Sequence, residues 1–180
     1  MPARVPYLNR EDLPEADRDI FDNLSAERGS VGNIFRALAN TPNLLRAFLR
    51  MGAELRHKTA LDPKLRELAI CTVGMLTEAQ YEFVHHWNLA LSVGVSRDQL
   101  QALTDWEKSP SFSDHERAVI RYAVEATNNV RVTDATWNAL KTFLDTRRIM
   151  ELVQNVAFYN MVVRVLEPVG VELEPGANKK

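Results

Sequence analysis

Apolar residues recur at intervals of three and four along most of the chain, which is the spacing that places them on one face of a helix. No segment shows the strict alternation of apolar and polar residues that is typical of a half-buried strand. Thr41-Pro42 and Asp62-Pro63 each combine an N-cap side chain with a proline at the first helical position. The sequence therefore predicts an all-α fold of seven or eight helices.

Glycine, proline and polar segments mark the ends of the predicted helices. We expect a short turn at about 33–38 and helices over about 15–27, 41–58, 62–75, 78–93, 96–106, 113–128, 133–144 and 146–166. Residues 1–12 are predicted to form an N-terminal arm, residues 13–173 a single helical domain and residues 174–180 a flexible tail. Neither end is expected to carry chemistry.

The last predicted helix is unusual because apolar side chains occupy nearly its whole circumference. In a small protein, a helix without a polar face is covered by other layers or by another subunit. We therefore expect a homo-oligomer.

The composition is that of one globular domain whose partners are small molecules or proteins. The chain has 180 residues, of which 46% are hydrophobic, and a formal net charge of −2. It has no block of five Lys or Arg residues and no run of eighteen apolar residues, which argues against nucleic-acid and membrane binding. Pro2, Pro6 and charged residues stand where a signal peptide needs an apolar stretch, so a cytoplasmic location is expected.

Two acids and a histidine occupy helix faces that are otherwise apolar, between residues 65 and 94. Glu82 and His86 are four residues apart and share a face with apolar neighbours, whereas His85 lies on a polar face. Glu67 points to the apolar side of the preceding helix. Burial and pairing of an acid with an imidazole can move both pKa values towards neutrality, which suits proton transfer. A buried pair that only ties two helices together is the alternative.

The same residues fall on a recognisable spacing. The segment resembles the carboxymuconolactone decarboxylase and alkyl hydroperoxidase D superfamily, whose signature is a Glu, a Cys twelve residues later, a Cys three further and a His four further. Counted from Glu67, these positions hold Ala79, Glu82 and His86. Both redox cysteines are absent, and the string EAQYEFVHHWNLALSVGVS is similar to the decarboxylase branch. The resemblance spans roughly residues 30–170.

The resemblance implies a compact, oligomeric bundle of the alkyl hydroperoxidase D-like type, assembled as a trimer or hexamer. It also implies a cofactor-independent lyase that acts in aromatic compound catabolism and removes CO₂ from a small cyclic or lactone carboxylate. His86 would be the general acid/base, Glu67 would orient it or relay the proton, and Glu82 would share the proton. No cofactor and no metal are expected.

An anionic substrate near two carboxylates needs cationic help. Arg36 and Arg164 are the candidates to hold its carboxylate, with Arg66 a further one. Among the aromatic residues, Tyr81 and Phe35 are the candidates to line the pocket.

Two other enzyme classes and a scaffold remain open. Glu54-Leu55-Arg56-His57 and Glu82-Phe83-Val84-His85 both show the Glu-x-x-His spacing of di-iron bundles. Hydroperoxide reduction, common in the superfamily, needs an attacking and a resolving thiol, but Cys71 is the single cysteine. A non-catalytic scaffold would use Glu67 and His86 only to hold helices together.

Overall fold

The computed structural model describes residues 3–178, which form helices and turns with no strand among them. The all-α prediction is confirmed. Short 3-10 turns cover Arg10–Asp12, Glu15–Asp17 and Ala102–Asp105. The helices are α1 (Asp19–Arg28), α2 (Asn33–Leu38), α3 (Pro42–His57), α4 (Pro63–Leu76), α5 (Gln80–Ser92), α6 (Arg97–Gln101), α7 (Asp114–Asn129), α8 (Asp134–Lys141) and α9 (Thr146–Val169).

Several boundaries differ from the predicted ones for local reasons. Residues 33–38, expected as a turn, form the short helix α2. Helix α5 begins at Gln80 rather than 78, because Glu78 has a left-handed φ of 55° that ends the preceding turn. The helix expected over 96–106 continues beyond Gln101 only as a 3-10 turn.

Helix α4 is the centre of the fold and packs against α5, α7 and α9. Its start is fixed by Asp62, whose side chain accepts a 2.7 Å hydrogen bond from the backbone N–H of Lys64, with Pro63 as the first residue. From Arg66 to Gly74 every residue is buried. A charged side chain on this helix therefore cannot reach bulk water and needs a partner inside the protein.

A glycine allows α4 and α5 to approach closely. A Cβ atom added at Gly74 would lie 3.2 Å from the backbone nitrogen of Phe83, closer than most side chains come to a backbone. The two backbones thus come close near the turn that joins α4 to α5, at one end of the helix pair that carries Glu67 and His86. This close crossing brings the predicted site residues from the two helices side by side.

Helix α9 crosses the core. Its sequence predicted a helix that is covered on all sides, but within the described chain one side of it is exposed. One side is buried through residues such as Leu152, Val156 and Leu166, whereas Met150 and Met161 are 44% and 45% exposed. The helix is long and apolar enough to cross a membrane by length and composition, but half of its most apolar window is buried against other helices, as in a core helix. Whether another subunit covers the exposed methionines stays a prediction.

Both predicted termini contact the helical domain. The backbone N–H of Arg4 donates to the carbonyl of Val169, and that of Glu172 donates to the hydroxyl of Tyr7. Glu174, the first residue of the predicted flexible tail, is also held, as described below.

Candidate active site

His86 is a buried imidazole held between two carboxylates. Its Nδ1 lies 2.6 Å from Oε2 of Glu67, and its Nε2 lies 2.9 Å from Oε1 of Glu82. The three residues are 3–5% exposed. The two acids and the imidazole, predicted to face the apolar sides of neighbouring helices, thus lie side by side and away from solvent.

Three helices build this cluster of Glu67, Glu82 and His86. Helix α5 supplies Glu82 and His86 from successive turns of one face, and α4 supplies Glu67. Helix α9 supplies Tyr159, whose ring meets the His86 ring edge to face, with centroids 4.8 Å apart and planes at 78°. The phenol ring and the two helices together exclude water from the imidazole.

Arg66 balances the charge of the cluster. Its Nε lies 3.3 Å from Oε1 of Glu67, and its Nη1 donates a 2.9 Å hydrogen bond to the carbonyl of Arg56. Arg66 is 8% exposed, so this is a buried ion pair. With His86 as an imidazolium, two positive and two negative side chains make the buried group neutral, as low-dielectric surroundings require.

The protonation states follow from this balance. Burial alone would lower the pKa of His86, but the electrostatic contributions of Tyr159, Glu67 and Glu82 raise it well above 6.5. Burial opposes ionisation of Glu67, yet the His86 imidazolium and then Arg66 hold its pKa below 4.5. At neutral pH the cluster therefore contains a charged imidazolium with a proton on each nitrogen, because each nitrogen faces a carboxylate.

One carboxylate oxygen in the cluster lacks a hydrogen bond. Oε1 of Glu82 is close to Nε2 of His86, but it is not aligned as a hydrogen-bond acceptor and is buried without a partner. The Asn155 side chain on α9 is 1% exposed, and both of its polar atoms also lack a hydrogen-bond partner. An unsatisfied buried polar group costs about 1–3 kcal/mol, so the Glu82 side of the imidazole is where the cluster gains most from a further polar group.

The carboxylates do not converge on a common point, as metal ligands must. Glu67 and Glu82 face opposite nitrogens of one ring, and residues 3–178 contain no group of three or more metal-ligating side chains with a suitable arrangement. The two Glu-x-x-His segments are also engaged apart from each other. Glu54 pairs with Lys58, and His85 pairs with Glu174.

Of the predicted substrate-binding residues, Arg66 contacts the cluster through Glu67, whereas Arg36, Arg164 and Phe35 have their hydrogen bonds and ring contacts elsewhere. Arg36 hydrogen bonds to Leu8, Asn9 and Asn33, and Arg164 to Asn160. Phe35 packs against Phe48 and beneath the guanidinium of Arg28. The structure thus separates these side chains from the imidazole that they were expected to serve.

Tyr81 belongs to a second group, which the sequence did not indicate. Oε1 of Glu174 accepts 2.7 Å and 2.6 Å hydrogen bonds from the Tyr81 hydroxyl and the Asn33 backbone, and its Oε2 lies 2.9 Å from Nε2 of His85. Burial opposes ionisation of Glu174, but the hydrogen bonds from His85, Asn33 and Tyr81 lower its pKa to about 2. Residue 174 was assigned to a flexible tail, and no local pattern signals a contact 93 residues away.

Comparison with known proteins agrees with the predicted family. Residues 42–125, which include Glu67, Glu82 and His86, match the model of the Carboxymuconolactone decarboxylase family. The predicted resemblance is confirmed over these residues, and the single cysteine agrees with a branch that lacks the cysteine pair. The uncharacterized protein YnjA of Escherichia coli (strain K12) is 30% identical over 111 residues, which are 61% of this chain and 60% of YnjA. The match therefore spans less than two thirds of that relative.

Solved structures share the fold. The alkylhydroperoxidase AhpD core protein of Ralstonia eutropha JMP134, described as peroxidase-related, superposes with a TM-score of 0.83 at 21% identity, over 97% of this chain and 94% of that one. The debrominase Bmp8 in complex with 2,3,4-tribromopyrrole gives a TM-score of 0.81 at 18% identity, over 97% and 93%. The alkyl hydroperoxidase D-like fold is thus confirmed, and the different chemistries of these neighbours show that the fold alone does not determine the reaction.

Proposed function

We propose that this protein is a cofactor-independent acid–base lyase that decarboxylates a small cyclic or lactone carboxylate. The observation that carries the proposal is the His86 imidazolium held between two buried carboxylates, one of which has an oxygen without a hydrogen bond. A buried titratable cluster with a shifted pKa is typical of sites that move protons. The match to the carboxymuconolactone decarboxylase family supports the class of reaction.

The proposed reaction needs no electron sink from the protein. The C–C bond to the departing carboxylate breaks, CO₂ leaves, and the electron pair passes into the lactone carbonyl to form an enolate. His86 Nε2–H then donates its proton to the ring carbon, so that one carboxylate and one proton become CO₂ and a C–H bond. The neutral imidazole regains its proton from solvent through Glu82, whose oxygen faces the same nitrogen.

Each carboxylate has a separate task in this scheme. Glu67 holds Nδ1 at 2.6 Å and thereby fixes the ring plane, so that Nε2 is the nitrogen that exchanges its proton. Glu82 lies beside Nε2 without a good hydrogen bond and can accept one from water or substrate. Arg66 and the imidazolium neutralise both acids. An anionic substrate is therefore repelled less than it would be by two unpaired carboxylates.

The direct test is turnover of carboxymuconolactone by the purified protein in D₂O. We expect CO₂ release and one deuterium on the product ring at the carbon next to the lactone carbonyl, and we expect H86Q to abolish both while H85Q retains them. If a series of lactone carboxylates gives neither CO₂ nor deuterium exchange with the wild-type protein, the lyase assignment is wrong.

Hydroperoxide reduction is less well supported because of the position of the thiol. Cys71 is fully buried on α4, and Ala79 and Glu82 stand at the two cysteine positions of the superfamily signature. A thiol that hydroperoxide cannot reach does not react as a peroxidatic thiolate. C71S should therefore leave turnover unchanged within about twofold, since the substitution exchanges only the buried Sγ for an oxygen, outside the cluster of Glu67, Glu82 and His86. Thiol-dependent loss of cumene hydroperoxide that disappears in C71S would support the peroxidase alternative.

A non-catalytic scaffold makes a different prediction. If Glu67 and His86 only hold helices together, H86Q would lower the free energy of unfolding and leave every measured turnover intact. Turnover and urea unfolding measured on the same H86Q preparation separate the two hypotheses.

A further inference from the structure

A groove of about 610 Å³ runs between α1 and α3 on the surface of the protein. Basic side chains dominate its polar lining: Arg28 from α1 and Arg46, Arg56 and His57 from α3, with Glu27 as the acidic residue. This volume falls within the range of about 300–1,000 Å³ that is usual for small-molecule sites. The groove therefore has the size and the charge of a site for a small anion.

The arginines of the groove differ in their partners. Arg46 is neutralised by Asp17 and Asp19, at 3.1 Å and 2.5 Å. Among residues 3–178, neither Arg28 nor Arg56 makes a side-chain hydrogen bond or a salt bridge within 4.0 Å. Arg28 instead lies over the ring of Phe35, 5.0 Å from its centroid. Two guanidinium groups in one groove are thus left without an anion.

These two guanidinium groups also repel each other. Loss of hydration in the groove lowers the pKa of Arg28, and the charge of Arg56 lowers it further, with Glu27 partly opposing the effect. Both guanidinium groups stay charged at neutral pH, because arginine does not deprotonate in proteins. A carboxylate placed between them would relieve the repulsion and form charge-assisted hydrogen bonds to both.

The inner side of the groove adjoins the candidate active site. The Arg56 carbonyl accepts a hydrogen bond from Arg66, the arginine paired with Glu67. Arg56 also acts electrostatically on Tyr159, whose ring contacts the His86 ring. The backbone of Arg56 thus links the positively charged groove to the cluster through Arg66 and Glu67.

We propose that the groove between α1 and α3 is the binding site for the substrate's carboxylate, held by Arg28 and Arg56, next to the Arg66–Glu67 pair of the candidate active site. The proposal deepens the proposed function. It rests on that function for the claim that the bound molecule is a substrate. It replaces Arg36 and Arg164 with a pair of arginines that have no other anion to hold. The class of ligand is a small organic carboxylate with an apolar ring.

The first test measures binding without turnover. We expect calorimetric titration of the full chain with phthalate and benzoate to show saturable binding, and methyl benzoate, which has no charge, to bind at least tenfold more weakly. R28Q and R56Q should each weaken phthalate binding at least tenfold, because each removes one charge-assisted contact. The matched control is R50Q, since Arg50 is exposed on α3 and does not line the groove.

Other outcomes separate this proposal from the proposed function. H86Q should bind phthalate like the wild-type protein. Phthalate binding by a wild-type protein that shows no lyase activity would support the groove and reject the function. Equal binding of phthalate by wild type, R28Q and R56Q would overturn the groove while leaving the lyase assignment to its own test. If R28Q or R56Q instead changes the oligomeric state in size-exclusion chromatography and phthalate does not bind the wild-type protein, the groove is a subunit interface and the proposal is wrong.

Discussion

His85 and His86 are neighbours on α5, and each pairs with a glutamate, yet their surroundings differ in nearly every respect. The His86 side chain is 7% exposed and lies 2.6 Å from Glu67, with Glu82 on its other nitrogen. The His85 side chain is 41% exposed and lies 2.9 Å from Glu174 alone. Adjacent residues of one helix are turned by about 100°, which is enough to place one ring in the core and the other at the rim.

The comparison teaches that burial and the second carboxylate, rather than a histidine–glutamate contact as such, create the candidate active site. A solvent-exposed ion pair contributes only about 0–1 kcal/mol, because water screens it. A buried pair cannot be separated without leaving a charge in the core. Only the His86 pair combines restricted access to water, a shifted imidazole pKa and an acid oxygen that lacks a hydrogen bond.

The largest expected effect is the loss of activity in H86Q relative to H85Q. Under the proposed function, a positioned general acid contributes about 100- to 10,000-fold to the rate, so H86Q should lose that factor in kcat. His85 does not touch the cluster, and H85Q should stay within about threefold, since exposed pairs of this kind contribute little. Steady-state kinetics of the two variants makes the measurement. Equal losses in both variants would remove the functional distinction between the two histidines.

E67Q should have the largest effect on stability. Removing one partner of a buried ion pair costs about 3–5 kcal/mol, because the imidazolium and Arg66 lose the charge that compensates them. Urea unfolding at pH 7 measures this loss. The matched control is E174Q, which removes the charge that pairs with His85. A loss in E67Q no larger than that in E174Q would mean that the two pairs are energetically alike.

The pH dependence of stability follows from the raised pKa of His86. A raised pKa means that the folded protein holds the proton more tightly than the unfolded chain does. The stabilisation is complete below 6.5, the value for the unfolded state, and is lost as the pH rises towards the folded pKa. H86Q should therefore unfold with a free energy that falls less between pH 6.5 and 9 than that of the wild-type protein. Parallel curves for the two proteins would contradict the direction of the shift.

E82Q should have a smaller effect, seen in the pH–rate profile. Glu82 is one of the charges that raise the pKa of His86, so its neutralisation should move the alkaline limb of kcat to lower pH. The limb reports deprotonation of the general acid in the proposed mechanism. The neighbouring exposed acid Glu78 provides the control variant E78Q. An alkaline limb that does not move in E82Q would show that Glu82 is not coupled to the imidazole.

Sequence patterns located the buried cluster because its residues are set by local geometry. The four-residue spacing of Glu82 and His86 places both on one helix face, and Glu67 shares its face with apolar residues on a helix that proved to be central. The second group, formed by Tyr81, His85 and Glu174, could not be found this way. Glu174 reaches the other two residues only after the chain returns from α9. For the same reason the sequence did not indicate the groove that Arg28 and Arg56 line, because partners and cavities depend on tertiary packing.

E174Q should have the smallest effect and probes the rim side of the comparison. The lowered pKa of Glu174, about 2, means that its stabilisation is present above 4.5 and is lost as the pH falls towards 2. E174Q should therefore lower the free energy of unfolding at pH 7 by less than E67Q does, and its unfolding free energy should fall less than the wild-type value between pH 4.5 and 2.5. Glu172 is exposed two residues earlier, and E172Q is the control.

Turnover should remain within about twofold in both variants. The pair of His85 and Glu174 lies on another face of the helix, where it neither donates the proton nor changes the charge around His86. A large loss of turnover in E174Q alone would instead show that the contact between the C-terminal segment and Tyr81 belongs to the active site, and the separation of rim from core would no longer hold.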